Sequence, residues 1–322
     1  MEPPPARWEG PARLLAFGAG AAGAAVLWLA GAVSGRESPA PGPPRIWVAD
    51  RAERHLVGLD RDLFVSRIAY LSRPVALAAG EDGELWCVVA RGDGPDGPHA
   101  ILSARTGVEV PLGGRPLGLA AGNRQALVLL EGAREAEVWR VGARGAAHLV
   151  ARVSAGTCIA VRGDQILVGD ARGGVNLLDR RGARRVHLGG EVLAVAAGTG
   201  SSWWALIASP RVRLVSLSAD LVKQRVSHTD LENATLAVVG SSGSAWLVAG
   251  RERRALRIGP DGRVERSLSD LPLAGLIAGA ATEDGGLLLL APGAVLRVDS
   301  AGRVDRGQGG FGFLVDMALA AR

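Results

Sequence analysis

Short apolar segments separated by polar turns recur along the chain. The segment Arg73–Val89 shows the unit most clearly, because an apolar strand, a turn at Glu81–Gly83 and a second apolar strand with Trp86 and Cys87 follow one another. The first strand of each unit ends in glycine, at Gly80, Gly122, Gly163, Gly198, Gly240 and Gly279. Short strands that repeat every 40 residues or so are typical of a radial repeat and not of one continuous sheet.

Two further strands complete each unit. In one copy a third strand at Leu256–Gly259 leads through the turn Pro260–Gly262 to a more polar fourth strand, Val264–Leu268. Glycine and aspartate in such turns supply the backbone conformations that a hairpin needs. Seven copies of the second strand are present: Ile46–Val48, Leu85–Cys87, Leu127–Leu129, Ile166–Val168, Trp203–Ala205, Ala245–Leu247 and Leu287–Leu289. The sequence therefore predicts an all-β, seven-bladed β-propeller of four-stranded antiparallel blades.

The two ends of the repeat region predict how the ring closes. The first copy has no opening strand before Ile46, and the last copy is followed by a single opening strand at Leu314–Leu319. If this last strand completes the first blade, both free sheet edges disappear. We expect closure by the C-terminal strand.

Two kinds of motif resemble known propeller repeats. The segments IWVADRAERHLVGLD and ILVGDARGGVNLLD resemble NHL-type repeats, and PVALAAGEDGELW resembles the units of lactonase and streptogramin-lyase propellers. The resemblance covers about residues 45 to 322 and concerns motifs that are structural. It implies a ligand site at the mouth of the central channel, which in metal-dependent lactonases carries several converging acidic and amide groups.

The N-terminal region predicts a membrane anchor. A polar, proline-rich segment of residues 1–13 precedes Leu14–Val33, which has 20 residues without a charge. A helix of that length spans about 30 Å, the thickness of the hydrocarbon core. A cleaved signal peptide ending at Ala30–Ala32 is the alternative, although the apolar run is longer than usual for one. Residues 34–45 form a stiff proline-rich tether, and residues 46–322 form the propeller.

Small residues line one side of the predicted helix. Gly18 and Ala22 lie one turn apart, as do Ala19 and Gly23, and such faces allow helices to approach closely in lipid. The stretch Gly18–Gly23 also matches the motif GxGxxG. No strand precedes this stretch, which argues against a dinucleotide-binding site. We expect integral-membrane partners at this face. Codon bias towards alanine and glycine is an equally good explanation of the pattern.

Charge gives weaker indications of location and partners. Arginines lie on both sides of the helix, so the positive-inside rule does not fix the orientation. A single N-terminal anchor favours the inner membrane with the propeller on the periplasmic side.

The net charge of +5 is small for 322 residues, and arginine clusters at Arg180–Arg185 and Arg251–Arg257 lack interleaved aromatics. Nucleic-acid binding is therefore not expected, whereas solvation or an anionic partner would account for the clusters.

Cysteine and tryptophan positions predict core roles. Cys87 and Cys158 fall on blades that are not neighbours, too far apart for a disulfide, so both should be free. Four tryptophans occupy equivalent second-strand positions and should wedge between blades: Trp47, Trp86, Trp204 and Trp246.

Few residues offer chemistry at the channel mouth. The positions that lead into the innermost strands are Arg73, Arg115, Thr157, Glu191, Asn233, Leu271 and Phe313. Of these, Glu191 and Asn233 could ligate a hard cation, but calcium requires six to eight oxygens. The inner strands contain one carboxylate, Asp316. The channel mouth therefore lacks the several converging acidic and amide groups that the resemblance to metal-dependent lactonases implies.

Two loops carry the remaining polar candidates. In Ser227–Asn233, His228 and Glu232 could support acid–base chemistry together with Glu191, as lyase propellers use histidine and glutamate with magnesium. In Ala90–His99, Asp93, Asp96 and His99 could bind a cation. Solvated surface loops explain both segments more simply.

The sequence thus favours a membrane-anchored, non-catalytic protein-interaction or scaffold subunit of a membrane complex, without cofactor, metal or small-molecule substrate. The alternative is a divalent-cation-dependent hydrolase or lyase with His228, Glu232 and Glu191 at the channel mouth.

Overall fold

The predicted units form seven four-stranded antiparallel sheets in the computed structural model. The structure describes residues 46–71, 73–80, 82–92, 97–208, 211–237, 243–271, 276–282, 284–291, 293–309, 311–312 and 314–319. We number the strands along the chain and the blades from the one that contains the first strand. The predicted seven-bladed propeller is confirmed.

Blade 1 contains β1 (Ile46–Asp50), β2 (His55–Leu59), β3 (Val65–Tyr70) and β28 (Leu314–Leu319). Blade 2 contains β4 (Pro74–Ala79), β5 (Leu85–Ala90), β6 (His99–Ser103) and β7 (Glu109–Leu112), and blade 3 contains β8 (Pro116–Gly122), β9 (Gln125–Leu130), β10 (Ala136–Gly142) and β11 (Ala147–Val153). Blade 4 contains β12 (Gly156–Arg162), β13 (Gln165–Asp170), β14 (Gly174–Asp179) and β15 (Gly182–His187).

Blade 5 contains β16 (Val192–Ala197), β17 (Trp203–Ile207), β18 (Arg213–Leu217) and β19 (Lys223–His228). Blade 6 contains β20 (Thr235–Ala237), β21 (Ala245–Ala249), β22 (Arg254–Ile258) and β23 (Val264–Leu268). Blade 7 contains β24 (Ala278–Ala281), β25 (Leu287–Ala291), β26 (Ala294–Val298) and β27 (Val304–Gly309).

The first strand of each sheet is innermost, and the innermost strands of successive blades contact one another around a closed ring. In blade 1 the innermost strand is β28, so the sheet order is β28-β1-β2-β3. Closure by the C-terminal strand is therefore confirmed. Leu314 on β28 is fully buried and packs with Val48 and with Leu290 of blade 7.

The core lies between blades, because the second and third strands have both faces covered. Trp86, Trp204 and Trp246 are almost completely buried against the following blade, and Trp47 is partly buried at the junction of blades 1 and 2. The predicted role of these tryptophans as wedges is confirmed. Their large apolar surfaces fill the space that widens from the channel to the rim.

Steric crowding between blades 2 and 3 explains the glycine that follows the innermost strand of blade 2. A Cβ added to Gly80 would lie 2.4 Å from the carbonyl oxygen of Gly122, the equivalent glycine of the next blade. Any side chain there would push the neighbouring backbone away. Glycine is therefore required at position 80, where the backbones of blades 2 and 3 approach closely.

The predicted N-terminal segment, the membrane helix Leu14–Val33 and the tether 34–45 lie outside the described residues, as do the small-residue positions Gly18, Ala19, Ala22 and Gly23. Within the part that is described, no helix has the length and hydropathy to cross a membrane.

Candidate functional site

The channel is lined by the seven innermost strands, whose exposed side chains are mostly alanine, valine and leucine. Such walls offer few groups that could bind or polarise a substrate. Asp316 on β28 and Arg162 on β12 are the charged side chains that these strands carry. The Arg162 guanidinium is stacked on Trp203 at 4.2 Å from the ring centroid and donates to the carbonyl oxygens of Ser201 and Ser202 in the next blade.

Asp316 ties blade 1 to blade 2. Its Oδ2 accepts a hydrogen bond from the backbone N–H of Leu77 at 2.7 Å, and its Oδ1 accepts one from its own neighbour Met317 at 2.8 Å. Removal from water in the apolar channel raises the pKa of Asp316 to about 6, although the two backbone donors act in the opposite direction. This carboxyl is a structural link between inner strands, and it is the one carboxylate on the innermost strands that the structure describes.

The side chains at three of the mouth positions form hydrogen bonds or ion pairs with other parts of the protein. Arg73 donates to the carbonyl oxygen of Gly92 at 2.9 Å, and Arg115 pairs with Glu131 at 2.8 Å. The Thr157 hydroxyl lies 2.8 Å from the carbonyl oxygen of Val192 in the next blade. These side chains fasten loops and blades, and they do not project together into the channel.

The four other mouth positions do not assemble a cation site. Glu191 is half-buried beside β16, Asn233 is exposed in the loop before β20, and Leu271 is buried in the core. Phe313 lies outside the described residues, and so do Asp93 and Asp96 of the loop in blade 2. Across the described residues, no group of three or more His, Cys, Asp or Glu side chains is arranged to hold a metal ion.

The structure separates the members of the His228 constellation. His228 is exposed at the end of β19, the outermost strand of blade 5, whereas Glu191 precedes the innermost strand β16 of the same blade. Three strand spacings of roughly 4.8 Å place these backbones about 14 Å apart. Glu232 is exposed in the following loop, and its backbone N–H donates to Glu252 at 2.8 Å.

The neighbouring Asp230 has a structural partner. Arg254 lies 2.8 Å away, and its hydrogen bond holds the pKa of Asp230 below the ordinary value of a carboxyl. The catalytic assignment of His228, Glu232 and Glu191 stays a prediction that would require a large change in this geometry.

Both cysteines are free, as the sequence predicted. Burial raises the pKa of the Cys87 thiol far above its ordinary value, with a further contribution from the charge of Asp316. Burial also raises the pKa of Cys158 to about 12. The thiol is the poorly reactive form, so neither residue is suited to nucleophilic chemistry at neutral pH.

The two arginine clusters are largely neutralised by acidic partners. Arg184 pairs with Asp179 and with Asp220 of the next blade, both at 2.5 Å, and Arg185 pairs with Asp170 at 2.8 Å. In the second cluster Arg257 pairs with Glu265 at 3.0 Å. This pairing leaves less free positive charge for an anionic partner than the sequence alone indicates.

Two buried aspartates were not singled out from the sequence, although they occupy the same position in the NHL-like segments. Asp50 is fully buried at the end of β1, where Oδ1 accepts the N–H groups of Ala52 and Glu53 and Oδ2 accepts that of Gly312 at 2.6 Å. Asp170 organises the corresponding loop in blade 4 through Arg172 and Gly174. Both are loop organisers with no group left for substrate.

Comparison with known proteins supports the fold. Neither protein-family models nor curated proteins gave a match. Among solved structures, apo AztD from Citrobacter koseri is 10% identical over 86% of this chain and 97% of its own, with a TM-score of 0.60. A streptogramin B lyase is 13% identical over 79% of this chain and 92% of its own, with a TM-score of 0.59.

A nidogen/laminin complex also contains a similar chain, 12% identical over 86% of this chain and 98% of its own, with a TM-score of 0.54. At such identities the likeness shows the fold alone. The resemblance inferred from the repeats is confirmed at that level: this chain is a seven-bladed β-propeller, and its fold is similar to that of a streptogramin B lyase.

Proposed function

We propose that this chain is a membrane-anchored, non-catalytic protein-interaction or scaffold subunit of a membrane protein complex. The observation that carries the proposal is the use of the mouth side chains. Arg73, Arg115 and Thr157 bond to the fold itself, so the position where propellers hold ligands offers no converging polar groups in the described residues.

The fold itself does not choose between catalysis and binding. Similar propellers include one named as a lyase and one in a complex with laminin, so the function must be inferred from the site. Acid–base chemistry needs groups within hydrogen-bonding distance of one substrate. The separation of His228 from Glu191 argues against such an arrangement in this chain.

The anchor and the location belong to the same proposal. The uncharged segment Leu14–Val33 has the length to span a bilayer, and the proline-rich residues 34–45 would hold the propeller away from the lipid surface. We propose an inner-membrane protein with the propeller on the periplasmic side. Tethering would raise the effective concentration of the propeller near membrane partners.

The test is extraction of the full chain in mild detergent, separation on a native gel and identification of the proteins that co-migrate. The proposal expects a defined complex larger than the monomer and no stoichiometric metal in elemental analysis. A monomer that carries one divalent cation per chain would contradict it and would favour the hydrolase or lyase alternative.

A variant of the predicted helix shows which part of the chain recognises the partner. Replacing Gly18 and Ala22 with leucine adds bulk to the small-residue face but keeps the segment hydrophobic enough to insert. If the helix packs in the complex, membrane abundance should persist while co-migration is lost. Unchanged co-migration would assign recognition to the propeller.

A further inference from the structure

The outermost strand of blade 1 exposes an unusual amount of apolar surface. Ile68 is 50% exposed, Tyr70 82% exposed, and Phe64, directly before β3, 47% exposed. Val65 at the start of the strand is also exposed. Single exposed apolar residues are common, but a row of them along one strand edge marks an interaction surface or an aggregation hazard.

The backbone of the same strand has an open hydrogen-bonding edge. The N–H of Leu71 donates to the carbonyl of Arg54, and the β2–β3 register pairs Ala69 with Leu56 and Ile68 with Val57. Because hydrogen-bonded pairs alternate in an antiparallel ladder, the N–H and C=O groups of Ile68 and Tyr70 point away from β2. β3 is the last strand of its sheet, so these groups face outward beside the exposed side chains.

The six other outermost strands are protected against strand addition. Charged residues and proline on an edge strand discourage pairing with another chain, and β3 has one such residue, Arg67. Each of the others has at least two charged, histidine or proline residues: Glu109 and Pro111; His148 and Arg152; Arg184, Arg185 and His187; Lys223, Arg225 and His228; Glu265 and Arg266; and Asp305 and Arg306.

Unpaired positive charge and a cavity lie next to this edge. The side chains of Arg61 and Arg67 are exposed and make no ion pair or hydrogen bond within the described part of the chain. A cavity of about 340 Å³ lies between the turn before β3 and the outermost strand of blade 7. Its lining residues are Asp62, Leu63, Phe64, Gly307 and Gln308.

We propose that β3 is a docking edge that accepts an extended segment of a partner protein as a fifth strand of blade 1. The segment would have apolar side chains at alternate positions, to cover Ile68 and Tyr70, and a carboxylate that pairs with Arg67. Main-chain hydrogen bonds would supply affinity, and side chains would supply specificity. This proposal rests on the proposed interaction function and names its surface.

A second copy of this chain is a poorer occupant than a different protein. In a two-fold antiparallel pairing of β3 with itself centred on Ile68, the two copies of Arg67 would be diagonal neighbours about 7–8 Å apart. Like charges at this separation oppose pairing. An acidic segment removes the repulsion and gives Arg67 the partner that it lacks.

The test uses the full chain in detergent micelles and a phage-displayed random library of peptides about nine residues long, the length of an ordinary strand. Enriched peptides should alternate apolar residues and contain an aspartate or glutamate. Ile68→Lys should weaken the binding of a synthetic enriched peptide by about tenfold or more. Val226→Lys is the matched control, because Val226 has the same register on β19 and is 43% exposed; it should leave the affinity unchanged.

A second measurement leaves the protein unaltered. Two peptides are N-methylated at one or the other alternating set of backbone nitrogens. The set whose N–H groups face β3 should lose binding, because those donors are removed, and the other set should still bind. Absence of enrichment, equal binding to Ile68→Lys, or equal binding by the two methylated peptides would each overturn the proposal. Loss of binding to anionic vesicles by Ile68→Lys, with peptide binding intact, would also overturn it and assign the edge to lipid.

The outcome for the proposed function is read separately. If the peptide experiments fail while the wild-type chain still co-migrates with a native complex, the docking edge is wrong and the interaction function stands. If no native complex forms, the interaction function fails whatever the peptides do.

Discussion

Blades 1 and 5 share a design but are completed in different ways. Their outermost strands have the same register, with a bulge before Leu59 in blade 1 and before Leu217 in blade 5. Blade 5 is built from consecutive strands, whereas blade 1 takes its innermost strand from the C-terminus. The two blades therefore differ in how they depend on the rest of the chain.

Their rims differ as well. In blade 5 Arg225 donates to the carbonyl oxygen of Pro260, and Ser227 donates to that of Gly262 at 2.6 Å, so β19 is fastened to blade 6. The equivalent residues on β3 are Arg67 and Ala69, which make no such bonds within the described residues. Equivalent backbone positions can thus serve ring cohesion in one blade and remain free for a partner in another.

The largest expected effect comes from removing β28, the C-terminal strand that completes blade 1. Deletion of residues 314–322 would leave β1 without its inner neighbour and expose Val48, Leu290 and the other core residues that pack on Leu314. We expect aggregation and loss of a cooperative unfolding transition, measured by size-exclusion chromatography and urea denaturation. A chain shortened only by residues 320–322 is the control and should remain soluble; a soluble, cooperative long deletion would contradict the closure.

The next effect concerns Asp50, whose place in blade 5 is taken by the buried Ile207. Asp50→Ala would leave the N–H groups of Ala52, Glu53 and Gly312 without their acceptor. We expect the free energy of unfolding to fall by about 3 kcal/mol, as for loss of buried hydrogen bonds to a charged group. Asp164→Ala, which removes an exposed pair with Arg180, should cost less than about 0.5 kcal/mol. Equal effects would contradict the role of Asp50.

A pH effect distinguishes the inner strands of the two blades, because Asp316 in blade 1 corresponds to Ala194 in blade 5. Burial raises the pKa of Asp316 from the ordinary value of 3.8 to about 6. The folded state therefore keeps a proton that the unfolded chain releases, and this group makes stability fall as pH rises from about 4 to 6. Above about pH 6 Asp316 is ionised in both the folded and the unfolded chain, and the buried charge makes the folded state less stable than it is at low pH.

Asp316→Asn should remove this contribution. Measured by urea denaturation, the stability of the variant relative to wild type should improve between about pH 4.5 and pH 7.5. A difference that is independent of pH would show that the channel does not disfavour the ionised carboxylate.

The smallest effect tests the rim comparison directly. Arg225→Ala should lower the free energy of unfolding by about 1 kcal/mol through the lost bond to blade 6. Arg67→Ala should change it by less than about 0.5 kcal/mol, as is usual for an unpaired surface residue. If both substitutions cost the same, the contrast between a fastened and a free rim is wrong.

The sequence contained most of what determines the ring. The spacing of glycines such as Gly80 and Gly122 set the repeat, and the unmatched strand Leu314–Leu319 predicted the closure. Trp86 and its equivalents marked the interfaces between blades. These features are local and periodic, so they can be recognised before the strands are assembled.

The polar links between blades could not be predicted in the same way. The bonds from Asp316 to Leu77 and from Arg162 to Ser202 join residues whose proximity depends on the angle between neighbouring blades. The sequence predicts polar fourth strands, whereas β3 exposes apolar side chains such as Ile68 and Tyr70. The alternation in Ile68 and Tyr70 was a signal for this difference, but it acquires meaning only when β3 is known to be an open edge.

Site-specific photo-crosslinking in native membranes tests whether the outermost strand of blade 1 contacts a partner protein. A photoreactive phenylalanine analogue is placed at Ile68 of the full chain, and at Val226 in the matched control, and the products are resolved on a denaturing gel. We expect one defined product with a partner protein from position 68 and none of that size from position 226. No product from position 68, or the same product from both positions, would contradict a protein-interaction role centred on blade 1.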